Sequence, residues 1–210
     1  MRRAWLALFI VLLAALPVSA GKKKIGHMLK PGQTADLASL PTVVAKQNCD
    51  NWAWAATLEA MLRMQGAVLD QTMWITRLNG GEVCLPSAGN WEDLQRTLER
   101  TYYVLDDGRK LRLEPRFVPG APTVPDDLIL AVRRGEPRML VWRGHAYLLA
   151  GVVYDESIGS NGSREFEITN LKLLDPCASV GSPQRLVTFT RDKDNAAEID
   201  GVFSVRVVWL

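Results

Sequence analysis

The chain has 210 residues, 48% of them apolar and 23% charged, which suits one globular domain with its own core. Ordinary glycine and proline contents, 16 and 11 residues, exclude the disordered, collagen-like and low-complexity classes. The net charge is only +2 and the basic residues are scattered, which argues against a nucleic-acid partner. Three Cys and two His without CxxC or HxxxH spacing predict neither a metal site nor a bound cofactor.

Residues 1–20 have the three parts of a secretory signal peptide. Arg2 and Arg3 give a charged start, residues 4–16 form an apolar run, and residues 17–20 (PVSA) supply small residues at the cleavage position. The run is shorter than the roughly 20 residues of a membrane span, so an uncleaved anchor is the weaker alternative. We therefore predict cleavage after Ala20, no stable membrane insertion of the mature chain, and a secreted or periplasmic protein in an oxidising compartment.

Residues 21–210 are expected to form a single domain, with 21–40 as a loosely ordered, basic lead-in. Helical spacing of apolar residues predicts a first helix over 51–65, with Asn51 as its N-cap and Gly66 as its stop. Similar signals predict three more helices, over residues 70–78, 90–103 and 126–134.

The pattern changes after the fourth helix, where segments rich in Val, Leu and aromatic residues predict strands. A polar segment at 157–163 (SIGSNGS) predicts a hairpin tip between two of them. Helices followed by strands are typical of an α+β domain with a largely antiparallel sheet. The strands are expected over residues 139–142, 147–154, 166–174, 186–190 and 203–209.

The segment from Gln47 to Ala56, QNCDNWAWAA, carries the clearest functional pattern. It resembles the active-site helix start of papain-like cysteine peptidases, most closely the bacterial branch that includes bacteriocin-leader peptidases. Gln47 lies six residues before Ala53, and Trp54 and Ala55 follow Ala53. In the family the same interval separates a Gln from the nucleophilic Cys, and Trp-Ala follows that Cys. Alanine therefore stands at the position that the resemblance assigns to the nucleophile.

Two later segments extend the resemblance towards the end of the chain. Gly144-His145-Ala146 opens an apolar strand, as the catalytic-His segment of the family does. Asp175, followed by proline, resembles the Asp that orients this His in the bacterial branch, and Asn170 is the rival because plant enzymes use Asn. The resemblance implies a papain-like α+β fold, with a helical half packed on a twisted antiparallel sheet and the cleft between them.

The chemistry implied by the resemblance needs a thiol, a base and an oxyanion donor. A thiol in the first turn of a helix feels the helix dipole, which favours the thiolate, and His145 would act as its base. Gln47 would help to bind the oxyanion through its side-chain amide. Trp52 and Trp54 are expected to wall the cleft and bind ligand. With Ala53 in place, every part except the thiol is present.

The resemblance also implies a disulfide between Cys49 and Cys84. In papain-like enzymes a Cys shortly before the nucleophile often bridges to a Gly-rich loop, and residues 80–84 (GGEVC) resemble that loop. Two unpaired thiols are the alternative. Cys177, directly after Asp175-Pro176, is then the odd cysteine and is expected to be free.

These observations predict a secreted papain-like homologue that is catalytically inactive and binds a peptide or protein in the remnant cleft. One alternative is an active cysteine peptidase that uses a displaced thiol, Cys49 or Cys177. A second is an otherwise active enzyme whose nucleophile was replaced by alanine. A third is a purely structural secreted domain with vestigial cleft features.

Overall fold

The computed structural model describes residues 28–38, 40, 46–84, 90–99, 102–122, 125–176, 185–190 and 197–210. The predicted signal peptide, the start of the predicted lead-in and Cys177 lie outside these residues. The described part of the chain forms four helices and eight strands. In chain order they are β1 (Met28–Asp36), α1 (Ala53–Met64), α2 (Gln71–Asn79), α3 (Trp91–Glu99), β2 (Tyr102–Val104), β3 (Lys110–Pro119), α4 (Pro125–Arg133), β4 (Arg138–Trp142), β5 (His145–Ile158), β6 (Arg164–Asp175), β7 (Arg185–Thr190) and β8 (Ile199–Trp209).

All eight strands join one antiparallel sheet. Seven of them follow the order β2-β3-β8-β4-β5-β6-β7, and β1 pairs with β5 beside this path. The 14-residue strand β5 is its centre, because β6 pairs along one edge while β4 and β1 share the other edge. The hairpin tip predicted at 157–163 joins β5 to β6. The predicted α+β class with an antiparallel sheet is confirmed.

Helices cover both faces of the sheet, and each face has its own core cluster. One cluster joins α1, α2 and α3 to side chains such as Met139, Leu148 and Phe203. The other joins α4 to alternate residues of the same strands, such as Leu140 and Val152. This alternation follows from the period of two along a strand. No helix in the described ranges is long and apolar enough to cross a membrane.

Helix α1 is buried on all sides over residues 53–62. Its sequence is almost wholly apolar and rich in alanine, which lets the helix lie close to the sheet. Its two buried polar side chains both have partners. The Thr57 hydroxyl donates to the Ala146 carbonyl at the start of β5, at 3.5 Å. Glu59 forms an ion pair with Arg63 at 2.5 Å.

Two predicted helix boundaries were wrong. Helix α1 begins at Ala53 after Trp52, and no side chain caps it, so Asn51 is not its N-cap. The third helix ends at Glu99, well before residue 103. Tyr102–Val104 instead forms β2 because its aromatic and β-branched residues pair with β3.

Further strands were missed. Residues 28–36, predicted as part of a loose lead-in, form β1 and pair with β5, although seven of the nine are exposed. An exposed strand held by backbone hydrogen bonds shows little hydrophobic alternation, so the sequence gives no signal for it. Strand β3 was also not predicted, and its position between α3 and α4 breaks the expected order of helices first and strands after.

Gly201 is required by a close approach between β8 and β3. A Cβ at this position would meet the Phe117 ring and lie 2.7 Å from the Val118 carbonyl oxygen, which is fixed in the sheet. We expect Gly201→Ala to lower the free energy of unfolding by about 1–3 kcal/mol, because neither the Phe117 ring nor the Val118 carbonyl can move away freely. Gly81→Ala is the control, since nothing lies within 4 Å of its Cβ. Denaturant unfolding should show a change below about 0.5 kcal/mol for the control, and equal changes in both variants would contradict the packing argument.

Glu59 should make stability depend on pH. Burial raises the pKa of its carboxyl above the ordinary value of 4.5, although Arg63 acts in the opposite direction. The folded state therefore holds this proton more tightly than the unfolded state does. The free energy of unfolding should fall as pH rises from about 4.5 through the raised pKa, and then level off.

The Glu59→Gln variant removes this titration, so its stability relative to the natural protein should increase as pH rises through that window. Denaturant unfolding between pH 4 and pH 8 measures this difference in the free energy of unfolding. Glu165→Gln, at an exposed position of β6, is the matched control. A difference between Glu59→Gln and the natural protein that stays constant or shrinks with pH would contradict the expectation.

Candidate functional site

His145 and Asp175 form a hydrogen-bonded pair at one end of the sheet. His145 opens β5, and its Nε2 lies 3.0 Å from Oδ1 of Asp175, the last residue of β6. The two are diagonal neighbours on one face, because Leu148 pairs with Leu174 in these antiparallel strands. Asn170 lies further along β6, opposite Val153. The structure therefore places Asp175, and not Asn170, against the imidazole.

The turn before His145 fixes where the imidazole lies. Arg143 and Gly144 form a two-residue turn between β4 and β5, with positive φ values of 51° and 73°. The Gly144 amide donates to the Asp200 carboxylate at 2.6 Å, and the Arg143 amide donates to the Glu198 carbonyl at 3.2 Å. The Arg143 guanidinium also holds the pKa of the Glu198 carboxyl below its usual value through a hydrogen bond. Glu198, just before β8, and Asp200, within β8, thus anchor this turn.

Ala53 meets His145 across a small open pocket of about 70 Å³. Ala53 is the first residue of α1 and only 5% exposed. The start of α1 and the start of β5 therefore line one cavity. The lining residues are Asp50, Asn51, Ala53, Trp54, Gly144, His145 and Ala146.

The two tryptophans expected to wall the cleft lie in different places. Trp54 lines the pocket, although only 3% of it is exposed. Trp52 is buried in the core cluster, and its indole Nε1 donates to the Val83 carbonyl at 3.1 Å. Trp52 thus joins the start of α1 to the loop that follows α2. Asp50 and Asn51, which the sequence did not single out for the cleft, line the pocket instead.

The predicted disulfide between Cys49 and Cys84 is confirmed, with the two Cα atoms 6.0 Å apart. The Asn51 side-chain amide donates to the Cys84 carbonyl at 3.5 Å, on the same side of the pocket. The bridge ties the segment before α1 to the loop after α2. Cys49 is therefore oxidised and cannot provide a thiolate.

Gln47 reaches the site through its backbone. Its amide donates to the carbonyl of Pro176, the residue after Asp175, at 3.4 Å. The structure thus brings the segment that contains Gln47 to the end of β6. Gln47 is not among the residues that line the pocket.

Gln71 holds the backbone on both sides of Gln47. Its Nε2 donates to the Lys46 carbonyl at 2.8 Å, and its Oε1 accepts from the Asn48 amide at 3.1 Å. Gln71 is itself buried, and it donates to Glu59 of α1 from both its backbone amide and its side chain. We call Glu59 and Gln71 the buried clamp. Sequence analysis missed Gln71, since one glutamine at the start of a helix has no distinctive pattern.

The arrangement brings a hydrogen-bonded imidazole and carboxylate to the pocket that the first residue of α1 lines, and that residue, Ala53, carries no nucleophile. The pair can exchange protons or accept a hydrogen bond from a bound group. Among the described residues no group of three or more His, Cys, Asp or Glu side chains is arranged to hold a metal ion.

Comparisons with known proteins identify the fold. No protein-family model matches the sequence, and no curated protein matches it. A solved structure from Bacillus anthracis, described as a "putative C39-like peptidase", is similar with a TM-score of 0.53 and 11% identity. The match covers 85% of this chain and 100% of that one. At this identity the likeness concerns the fold alone, and it confirms the predicted papain-like α+β fold.

Proposed function

We propose that this protein is a catalytically inactive relative of the papain-like peptidases, and that it binds a peptide or protein segment in the remnant cleft. The observation that carries the proposal is the position of Ala53. Ala53 begins α1 and lines the same pocket as His145, whose imidazole is paired with Asp175.

A methyl group cannot attack a carbonyl, so the acyl-enzyme route is closed at this position. Removal of a catalytic nucleophile typically lowers kcat by a factor on the order of 10⁶, leaving only the effects of binding and of the oxyanion site. The disulfide with Cys84 removes Cys49 as a substitute thiol. Cys177 stays the remaining candidate of the displaced-thiol alternative.

Binding is supported by the shape and polarity of the cleft. A pocket of about 70 Å³ accommodates one carbonyl group or a small side chain rather than a whole ligand. A longer peptide would lie across its mouth, between the start of α1 and the turn before β5. His145 and the exposed Asp50 would offer polar groups to its backbone.

Export is part of the proposal. The predicted signal peptide supports it, and so does the Cys49–Cys84 bridge, because disulfides persist in oxidising compartments. N-terminal sequencing of the protein recovered outside the cytoplasm should give Gly21 as the first residue.

Restoring the nucleophile tests the site. The variant Ala53→Cys places a thiol at the N-terminus of α1, where the helix dipole and His145 should lower its pKa below the ordinary thiol value. We expect iodoacetamide to modify this thiol at pH 6 at least tenfold faster than free cysteine, and slow peptide hydrolysis to appear. The fold should be kept, because a thiol is close to a methyl group in size.

The double variant Ala53→Cys/His145→Ala is the matched control, since it keeps the thiol and removes the imidazole. Its alkylation rate should drop to that of free cysteine. The natural protein, which contains Cys177, gives the background rate of alkylation. If folded Ala53→Cys reacts no faster than free cysteine at pH 6, the assignment of His145 and Asp175 to a former catalytic pair is wrong. If the natural protein hydrolyses peptides and the His145→Ala variant does not, the proposal that the protein is inactive is wrong.

Blocking the cleft tests the binding function. Peptides selected by the natural protein from a random phage-displayed library should lose at least tenfold in affinity when a bulky maleimide is attached to Ala53→Cys. The same adduct on Val68→Cys is the control, because Val68 is 64% exposed in the loop after α1. Equal affinities for both adducts, measured by fluorescence polarisation, would place the peptide elsewhere. Failure to select any peptide would favour the purely structural domain.

A further inference from the structure

A second, larger groove lies on the opposite face of the sheet from the cleft. It has a volume of about 430 Å³ and runs between α4 and the exposed parts of β3, β8 and β4. Helix α4 packs on β1, β5 and β6, which leaves this half of the face without a helix among the described residues. The size lies within the range of about 300–1,000 Å³ that is usual for small-molecule sites.

The floor of the groove carries a row of three polar residues across adjacent strands. Arg116 of β3 pairs with Ser204 of β8, and Ser204 pairs with Arg138 of β4. Residues in register on neighbouring strands project from the same face, about 4.8 Å apart. The two arginines therefore flank one hydroxyl, roughly 10 Å from each other at the backbone, a gap that their long side chains can close around one anion.

Two of the arginines at this groove have no carboxylate partner within the described part of the chain. Among the described residues, no ion pair involves Arg116 or Arg134, which directly follows α4. The carboxylate two residues before Arg116 on the same face, Glu114, is bonded by Arg112 and Arg206. Of the two acidic residues that line the groove, Glu136 is bonded by Arg138 at 2.8 Å and Asp127 lies on α4.

The next row along the strands is apolar. Val118 pairs with Val202, and both line the groove together with Leu130 of α4. Val118 and Leu130 are 40% and 43% exposed, so both present apolar surface to the groove. The groove thus has an arginine-serine end and an apolar end.

We propose that this groove binds a small anionic amphiphile, with its carboxylate on Arg116 and the neighbouring Arg138 and its hydrocarbon chain along Val118, Val202 and Leu130. A guanidinium pairs a carboxylate in two parallel hydrogen bonds, and the apolar row gains from covering a hydrocarbon chain. A peptide fits less well, because its backbone amides and carbonyls need partners. The backbone of β3 and β8 is engaged in the sheet here, and the α4 side chains on this wall are mainly apolar.

Decanoate is the probe for this proposal. Acetate, which has the carboxylate without the chain, and decan-1-ol, which has the chain without the carboxylate, are the comparison ligands. Calorimetric titration of the natural protein should show saturable one-to-one binding of decanoate below about 1 mM, and much weaker binding of the other two. Affinity should rise about fourfold for each CH₂ added between octanoate and decanoate. Acetate or inorganic phosphate binding as tightly as decanoate would overturn the proposal in favour of a simple anion site.

Arg116→Gln should weaken decanoate binding about tenfold or more, since a hydrogen bond to a charged group is lost. Arg138→Gln should weaken it less, because Arg138 also pairs with Glu136. Arg112→Gln is the matched control, because it lies on the same strand and face but does not line the groove. It should leave the affinity within twofold. Equal losses in all three variants would show a general charge effect and contradict the site.

Two further outcomes would assign the groove differently. Binding to vesicles of anionic phospholipid without binding of monomeric decanoate would make this face a membrane-contact surface. Tighter binding of a short peptide with a leucine carboxyl terminus than of decanoate would make it a peptide site. The maleimide adduct on Ala53→Cys should bind decanoate normally, which separates this site from the cleft.

Discussion

The packing of α1 against the start of β5 is the contact on which the rest of the site depends. Ala55, Ala56 and Ala60 are completely buried, so no large side chain separates the helix from its neighbours. The Thr57 hydroxyl bonds directly to the Ala146 carbonyl, one residue beyond His145. Because a helix interior and a paired strand are both stiff, this contact sets the first turn of α1 beside His145. A loop could not hold that spacing as well.

The segment before α1 is ordered by restraints other than helix propensity. The Cys49–Cys84 bridge fixes one point of it, and Gln71 of the buried clamp fixes the backbone around Gln47. Trp52, next to the helix start, is held through its indole. Removal of a disulfide that closes a loop typically costs about 2–4 kcal/mol, and each buried hydrogen bond about 1 kcal/mol. The segment would be far more mobile without these contacts, and Pro176 beside Asp175 would lose a partner.

The parts of the fold that sequence patterns predicted are those that bury a regular apolar stripe. Helices α1, α2 and α4 and the central strands repeat their apolar residues at the expected period, so their positions followed directly. Strand β1 is mostly exposed and is held by pairing with β5, a long-range contact with no local signal. The resemblance placed Ala53, His145 and Asp175 in one region, and the choice of Asp175 over Asn170 needed the register of β5 and β6. The buried role of Trp52 and the contacts of Gln71 depend on residues far away in sequence.

The geometry of the cleft does not depend on a thiol. The His145–Asp175 hydrogen bond is set by two paired strands, and the turn before His145 is anchored by Glu198 and Asp200. Neither anchor involves position 53. An active thiolate beside an imidazolium would place an ion pair at the first turn of a buried helix, and burial of charge costs stability unless it is well compensated. Alanine at position 53 avoids that cost while filling nearly the same space. The proposed binding function needs only the shape of the cleft, which the two paired strands and the anchored turn supply without a thiol.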